Sequence, residues 1–279
     1  MKTIVTMTSW KGRIKFLARS IYNFIKTQTV KPDEFYLWLA EEEFPNKEKE
    51  LPDDLKLICE GLNVKLCWCK YNDYAFKRWY VYPEHNEDLV ISIDDDMDYF
   101  NTLIEDCKNE VAKNPNPHII HYSSCGGIIS IPNGIGYLIT NSYKGSNPKN
   151  YFFGQCAFAP NTFPMEIMTE ENLKLKRKIC RKTDEGWIHP FTIKHDIPIV
   201  FLPPKFRKEH KEMQEGALRD NLHFTKVKIN GKEYKKADVY RFMVIRSSKE
   251  LTDAWLKYFP NYNMNEFKET DDELLRYLE

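Results

Sequence analysis

The stretch LVISIDDDMDYF, Leu89–Phe100, carries the decisive pattern. Its first five residues are apolar on both alternating faces, which predicts a strand buried on both sides and central in its sheet. Directly behind it stand Asp94, Asp95, Asp96 and Asp98. Carboxylates this close repel one another and are costly at a strand end unless something positive neutralises them. If the backbone stays extended, Asp94 and Asp96 share one face and Asp95 takes the other. Two carboxylates on one face suit a hard divalent cation, Mn²⁺ or Mg²⁺, with phosphate oxygens as its remaining ligands. The plain alternative is a solvated acidic turn, with Asn101–Thr102 capping the next helix.

Toward the N-terminus the chain alternates between strand and helix patterns. TIVTM (Thr3–Met7) is a short β-branched run that ends in the polar turn TSWKGR. Residues 14–28 place Ile14, Leu17, Ile21, Phe24, Ile25 and Gln28 at helical spacing, with Arg19, Asn23 and Lys26 outside. Pro32 cannot continue that helix. EFYLWLA (Glu34–Ala40) and NVKLCWC (Asn63–Cys69) read as strands, and Ala75–Tyr82 as a short helical stretch. Such alternation predicts an α/β fold with a mostly parallel sheet covered by helices. Sheets of that kind bind ligands at the carboxyl ends of their strands, here just after Met7, Ala40, Cys69 and Ile93.

The second half is less regular. Pro and Gly punctuate 115–164, and KLKRKICRK (174–182) is a basic run that reads as a solvated face. Its alternative is a contact with acidic membrane headgroups or with the diphosphate of a lipid-linked acceptor. From Leu251 two amphipathic helical patterns follow, Leu251, Trp255, Leu256 and Phe259, then Phe267, Leu274, Leu275 and Leu278. The expected organisation is one catalytic domain over 1–205 and a helical C-terminal extension over 206–279 packed on it.

Composition narrows the function classes. Lys+Arg and Asp+Glu both number 41, which removes the electrostatic footprint of a dedicated nucleic-acid binder. With 42% hydrophobic and 14% aromatic residues the chain is not disordered. The opening residues do not form a signal peptide, no run approaches the length of a membrane span, and the expected location is cytoplasmic. The seven cysteines show no metal-type spacing and read as reduced thiols packed as small hydrophobes. Nothing in the spacing of His195, His210 or His223 selects a further metal ligand.

No GxxxxGK[ST] loop occurs, and GGIISIPNGIG (Gly126–Gly136) lacks the spacing and context of a dinucleotide loop. A phosphatase DxDx[TS] motif is also a poor fit, because Tyr99 and Phe100 follow where that chemistry needs a small hydroxylated residue. The ordered segments TSWKGRI (Thr8–Ile14), QTVKPDEFYLWLAEEEFP (Gln28–Pro45) and IDDDMDY (Ile93–Tyr99) instead resemble bacterial nucleotide-sugar glycosyltransferases of the GT-A fold, with their DXD motif. The likeness covers about residues 3–100, continues more loosely through FFGQCAFAP (Phe152–Pro160) and TDEGWI (Thr183–Ile188), and fades after about 205.

That resemblance implies a metal-dependent transferase that moves a sugar from a nucleoside-diphosphate donor, a UDP-sugar favoured, to a hydroxyl of a glycan or glycolipid acceptor in surface polysaccharide assembly. Asp96 is then the metal ligand, and Asp94 a metal ligand or nucleotide contact, with Asp95 supporting either. Thr8, Ser9 and Arg13 line the nucleoside pocket, although Arg13 reads equally as a surface charge. Lys77, or Arg78 if the helical phase differs, meets the diphosphate. Asp184 is the general base that deprotonates the acceptor hydroxyl, with Glu185 second. The family pattern has two Asp there, so Glu185 is a departure. Gly154 and Gln155 leave room for the sugar between aromatic walls, although a plain tight turn explains the glycine equally well. The rival readings are a metal-dependent phosphohydrolase or nucleotidyltransferase on the same carboxylates, and a non-catalytic nucleotide-sugar binding module.

Overall fold

The computed structural model describes residues 1–122, 128–130, 136–138, 155–202, 208–209 and 225–278. Strands β1 (Thr3–Thr8), β2 (Glu34–Ala40), β3 (Val64–Cys69) and β4 (Leu89–Ile93) are followed by β5 (Met97–Asp98), β6 (Ile119–His121), β7 (Ile128–Ser130), β8 (Gly136–Leu138), β9 (Gln155–Phe158) and β10 (Ile199–Phe201). Then come β11 (Lys208–Glu209), β12 (Lys226–Ile229) and β13 (Lys232–Lys235). The helices are α1 (Leu17–Thr27), α2 (Asp53–Gly61), α3 (Tyr82–His85), α4 (Leu103–Lys113), α5 (Glu170–Ile179), α6 (Glu185–Lys194), α7 (Lys236–Arg246), α8 (Lys249–Tyr258) and α9 (Asp271–Leu278). Short 3₁₀ segments occupy Ile14–Phe16, Lys47–Glu50, Tyr74–Val81 and Met165–Met168.

The chain has the α/β architecture its alternating pattern predicts. Its main sheet runs β10-β6-β9-β4-β1-β2-β3, with β4 in the middle. Neighbours pair in parallel except around β9, which runs antiparallel between β4 and β6. Alternation along each strand sorts side chains into two layers. Val5 and Met7 of β1, Leu37 of β2, and Leu89, Ile91 and Ile93 of β4 pack against Leu17, Ile21 and Phe24 of α1, Leu55 of α2, and Leu103 of α4. Ile4, Tyr36, Val90 and Phe158 face the other way, onto Phe76, Trp79, Trp187 of α6 and Phe242 of α7. Each such fully buried side chain contributes roughly 1.5–3 kcal/mol of transfer free energy.

The C-terminal patterns join this second layer. Leu251 of α8 and Leu274 and Leu278 of α9 lie in the same cluster as the sheet residues, together with Phe267. Helices α6 and α7 carry no helical periodicity in sequence because they are enclosed on every side. Gly186 through Ile193 of α6 and Val239 through Ile245 of α7 are all buried. Pro190 lies inside α6.

The basic run of 174–182 departs from its expected role as a solvated face. Lys174 and Lys178 are exposed on α5, whereas Lys176 is fully buried. The cause is Asp73, a fully buried carboxylate in the loop after β3. Arg177 Nε donates to its Oδ2 at 3.0 Å and Tyr80 Oη at 2.6 Å, while Lys176 Nζ stands 3.5 Å from Oδ1. Lys176 Nζ also donates to the Arg181 carbonyl at 2.8 Å. Burial lowers the Lys176 pKa to about 8, against the pull of Asp73. Burial works against the ionised Asp73 as well, but Lys176, Tyr80 and Arg177 together hold its carboxyl below the ordinary range.

This cluster ties the loop after β3 to α5, and removing one partner strands the others in the interior. Asp73→Ala is expected to destabilise the protein by about 3–5 kcal/mol in urea unfolding. Lys174→Ala, which removes an exposed pair with Glu170, is expected to leave the midpoint unchanged within error.

Candidate functional site

The acidic run lies at the carboxyl end of the central strand, but it does not stay extended. The backbone turns at Asp95–Asp96 and re-forms a strand only at β5, which pairs with β11. Strand alternation therefore does not govern which carboxylates share a face. Mutual repulsion is relieved instead by a separate environment for each carboxylate.

Asp94 Oδ1 accepts from Arg78 Nη1 at 2.9 Å, and the Asp94 backbone N–H donates to Tyr99 Oη at 2.7 Å. Asp95 accepts from Ser9 Oγ and from Arg13 Nε, the latter at 3.0 Å, and its carbonyl accepts from Ser20 Oγ at 2.7 Å. Burial pushes the Asp95 carboxyl upward, against Arg13 and Ser9. Asp96 is pushed up to about 7 by burial and then by the charges of Asp94 and Asp95.

The turn after β1 is therefore locked to the turn after β4. Thr8 Oγ1 donates to the Trp38 carbonyl at 2.9 Å, and Ser9 and Arg13, both buried, hold Asp95. The loop after β2 enters the same network. Lys77 is 1% exposed, and its Nζ donates to the Ser9 carbonyl at 3.0 Å and to Asn72 Oδ1 at 3.1 Å, with Glu43 Oε2 at 3.5 Å. Burial lowers the Lys77 pKa, and burial raises that of Glu43. Lys77, expected at the diphosphate, thus joins three strand-end loops inside the protein.

Arg78 takes the position toward the acidic turn. The helical stretch expected over Ala75–Tyr82 is a 3₁₀ segment, so the phase differs from that of an α-helix. Tyr74 opens it in the left-handed region at φ 52°, with its N–H held by Asn72 Oδ1 at 3.1 Å. A bulky residue there is strained and persists only where the surroundings over-determine it, as the Asp73 cluster and the buried Phe76 and Trp79 do.

Two hydroxyl residues inside the apolar strands seat Arg78. Thr6 of β1 and Ser92 of β4 are register partners. Thr6 Oγ1 donates to the Arg78 carbonyl at 2.9 Å, and Arg78 Nη1 donates to Ser92 Oγ at 3.3 Å. Burial opposes the guanidinium charge, yet Asp94 and then Asp184 hold its pKa above the ordinary value.

Asp184 reaches this place from the opposite side. It directly precedes α6 and is 1% exposed, but its side chain does not cap that helix. Its Oδ2 accepts from Trp79 Nε1 at 3.4 Å and stands 3.7 Å from Arg78 Nε. Burial, and then the charge of Glu185, push its carboxyl up to about 7, with Arg78 pulling the other way. Glu185 accepts from Thr183 Oγ1 at 3.0 Å. Gly186 permits this close turn, since a Cβ there would lie 2.8 Å from Thr183 Cγ2 and 2.9 Å from Cys180 Sγ.

The structure therefore gathers Ser9, Arg13, Lys77, Asp94, Asp95, Asp96 and Asp184 at one edge of the sheet. Sequence reasoning did not find Thr6, Ser92, Glu43 or Asp73. The available signals were hydroxyls at matching positions of two buried strands and a carboxylate beside an aromatic run. Gln155 opens β9 opposite Ile93. His195, the residue after α6, pairs through Nε2 with Glu166 Oε1 at 2.6 Å. Gly126, Gly154, His210 and His223 lie outside the described residues. Cys59, Cys67, Cys69, Cys107 and Cys180 are free thiols, and burial raises those of Cys59 and Cys67 to about 11.

Among the described residues no group of three or more His, Cys, Asp and Glu side chains forms a ready metal cage. The donor set is one or two carboxylates, Asp96 and Asp94. That set fits an ion such as Mg²⁺ that keeps waters and takes its other ligands from phosphates.

Asp96 and Asp184 hold protons with folded pKa values of about 7, against 3.8 for the free group. Their contribution to stability is thus highest at low pH and falls as pH rises from 3.8 toward 7, remaining low above that. Asp184→Asn, which removes a buried charge without changing shape, is expected to raise the thermal midpoint most at pH ~8, by less at pH ~5, and hardly at all below the unfolded pKa of 3.8. Calorimetric scans at the two pH values check this; a fall at pH ~8 would show Asp184 to be a net stabilising anion.

No family model matches the chain, and no curated protein matches it in sequence. No helix among the described residues is long and apolar enough to cross a membrane. Among solved structures the chain is similar to S. aureus TarS 1-349 in complex with UDP, at 14% identity over 99% of this chain and 78% of that one, with a TM-score of 0.47. It is similar to the same protein in complex with UDP-GlcNAc at 11% identity over 100% and 70%, with a TM-score of 0.49. Likenesses this distant leave the functional reading to the geometry of the site itself.

Proposed function

We propose that this chain is a metal-dependent glycosyltransferase that moves a sugar from a nucleoside-diphosphate donor, a UDP-sugar favoured, to a hydroxyl of a glycan or glycolipid. The observation that carries the reading is convergence. The segments that resemble nucleotide-sugar glycosyltransferases are scattered from Thr8 to Ile188, yet residues from several of them interlock at one sheet edge. Ser9 meets Asp95, Lys77 joins Ser9 to Glu43, and Arg78 faces both Asp94 and Asp184. Glu42 of the same β2 loop accepts from Arg181 at 2.7 Å, just ahead of Asp184. An α/β sheet binds its ligands at this edge.

In this reading Asp96 holds Mn²⁺ or Mg²⁺, with Asp94 as the second carboxylate. The bound cation supplies charge neutralisation on the departing diphosphate, worth several kcal/mol. Ser9 and Arg13 act through Asp95, fixing the wall of the nucleoside pocket together with Thr8. Asp184 takes the proton of the acceptor hydroxyl as its oxygen bonds to the anomeric carbon and the bond to the diphosphate breaks. A carboxyl group with a pKa of about 7 is well matched to that work near neutral pH. Glu185 raises the proton affinity of Asp184 and is the second candidate for the base. Surface polysaccharide or glycolipid assembly on the cytoplasmic side is the setting that the resemblance implies.

The test is a thermal-shift screen of UDP-, GDP-, CMP- and dTDP-sugars, each with Mn²⁺ and with EDTA. One nucleotide class is expected to raise the midpoint only with metal, and Asp96→Asn to abolish that shift while keeping its own midpoint within a few degrees. Because Asp96 must lose a proton to bind metal, the shift is expected to shrink as pH falls below about 7. Metal-independent shifts, or a shift that survives Asp96→Asn, would contradict the reading. Turnover with water alone would favour a phosphohydrolase.

A further inference from the structure

Among the described residues, Arg78 is the guanidinium that lies against both carboxylates that the proposed function assigns to opposite halves of the reaction. Its two contacts are unequal. Nη1 makes a hydrogen bond of 2.9 Å to Asp94 Oδ1, whereas Nε lies 3.7 Å from Asp184 Oδ2 and gives its proton to the Ala75 carbonyl at 2.9 Å. The Arg78 side chain is 8% exposed and that of Asp184 1%, so solvent screens their attraction weakly. Asp94 is 28% exposed, and it is the end of the triad that a ligand can reach from outside.

A divalent cation on Asp94 competes with the guanidinium already there, because both neutralise the charge of the same carboxylate, whose Oδ1 Arg78 already holds. We propose that Arg78 is a shared counter-ion that couples cation loading on Asp94 to Asp184: with Asp94 occupied, the guanidinium turns its attraction onto Asp184 and holds the base as its main remaining anion. This deepens the proposed function and rests on its reading of Asp94 as a donor-side metal ligand. Arg78 is a positioning residue in this scheme, since it acts through the two carboxylates. The guanidinium is anchored for that role by Ser92 Oγ, by the Ala75 carbonyl and, through its own backbone, by Thr6.

Linkage fixes the signs of the expected effects. Without Asp184, Arg78 belongs wholly to Asp94 and opposes the cation more strongly. Without the guanidinium charge, the cation meets no competitor. The experiment titrates the full chain with Mn²⁺ alone and reads free Mn²⁺ by electron paramagnetic resonance. Asp184→Asn is expected to weaken Mn²⁺ binding and Arg78→Gln to tighten it, each by about fivefold or more. Arg78→Lys, which keeps the charge, is expected not to tighten it. In the Arg78→Gln background, Asp184→Asn is expected to have no further effect.

A role confined to scaffolding predicts weaker binding in both single variants and no such cancellation. Unchanged Mn²⁺ affinity in folded Asp184→Asn overturns the proposal while leaving the donor-site reading in place, and this variant decides the matter even if Arg78→Gln does not fold. Absence of Mn²⁺ binding by the native chain, with or without UDP, overturns both.

Discussion

Carboxylates crowded at the end of a buried strand cannot all remain ionised without help, and that constraint shapes the neighbourhood of Asp94, Asp95 and Asp96. Each is accommodated differently. Asp95 is bound by Ser9 and Arg13 and becomes part of the frame. Asp94 keeps one face toward solvent and the other on Arg78. Asp96 lies where burial and its two neighbours favour the protonated form near neutrality. A run that looks uniform in sequence thus becomes one structural anion, one paired anion and one latent site for a cation.

The rest of the edge follows from holding those groups still. Apolar packing supplies most of the stability through the two layers on either side of the sheet, but packing alone does not fix the rotation of a 3₁₀ segment. Ionic and hydroxyl contacts do that here. The Asp73 cluster ties the start of the Tyr74–Val81 segment to α5, and α5 leads within a few residues to Asp184. Lys77 and Arg78 then leave the same segment in different directions, one to bind loops together and one to face the site. Buried ion pairs of this kind are weak evidence for added stability, and their use here is to fix geometry.

Much of the fold was legible because its signals are local. Glu34–Ala40 and Leu89–Ile93 are strands with the bounds their sequences predict, and the two-faced apolar character of Leu89–Ile93 correctly places it in the middle of the sheet. What was not legible depends on partners distant in the chain. Lys176 looks like any other residue of a basic run until Asp73 is brought beside it. Helices α6 and α7 are buried all round, which removes the amphipathic period that marks a helix. The antiparallel course of β9 leaves no trace in four residues.

At the site, motif and resemblance singled out Asp94 and Asp184, which the fold brings to Arg78. The division of labour between Lys77 and Arg78 was not readable, because it turns on 3₁₀ rather than α phase. The turn at Asp95–Asp96 was equally hidden, since an extended backbone and a turn are both compatible with IDDDMD. The hydroxyls of Thr6 and Ser92 are visible in sequence, but their pairing across two strands gives them meaning only in the folded sheet.

The central claim is that the acidic turn receives a divalent cation together with a nucleoside diphosphate. Anomalous diffraction from crystals grown with Mn²⁺ and UDP tests it most directly. The account predicts a manganese peak at ~2.1 Å from a carboxylate oxygen of Asp96 or Asp94, with diphosphate oxygens completing its shell. UDP bound without manganese at this turn, or manganese and UDP bound elsewhere on the chain, would contradict it.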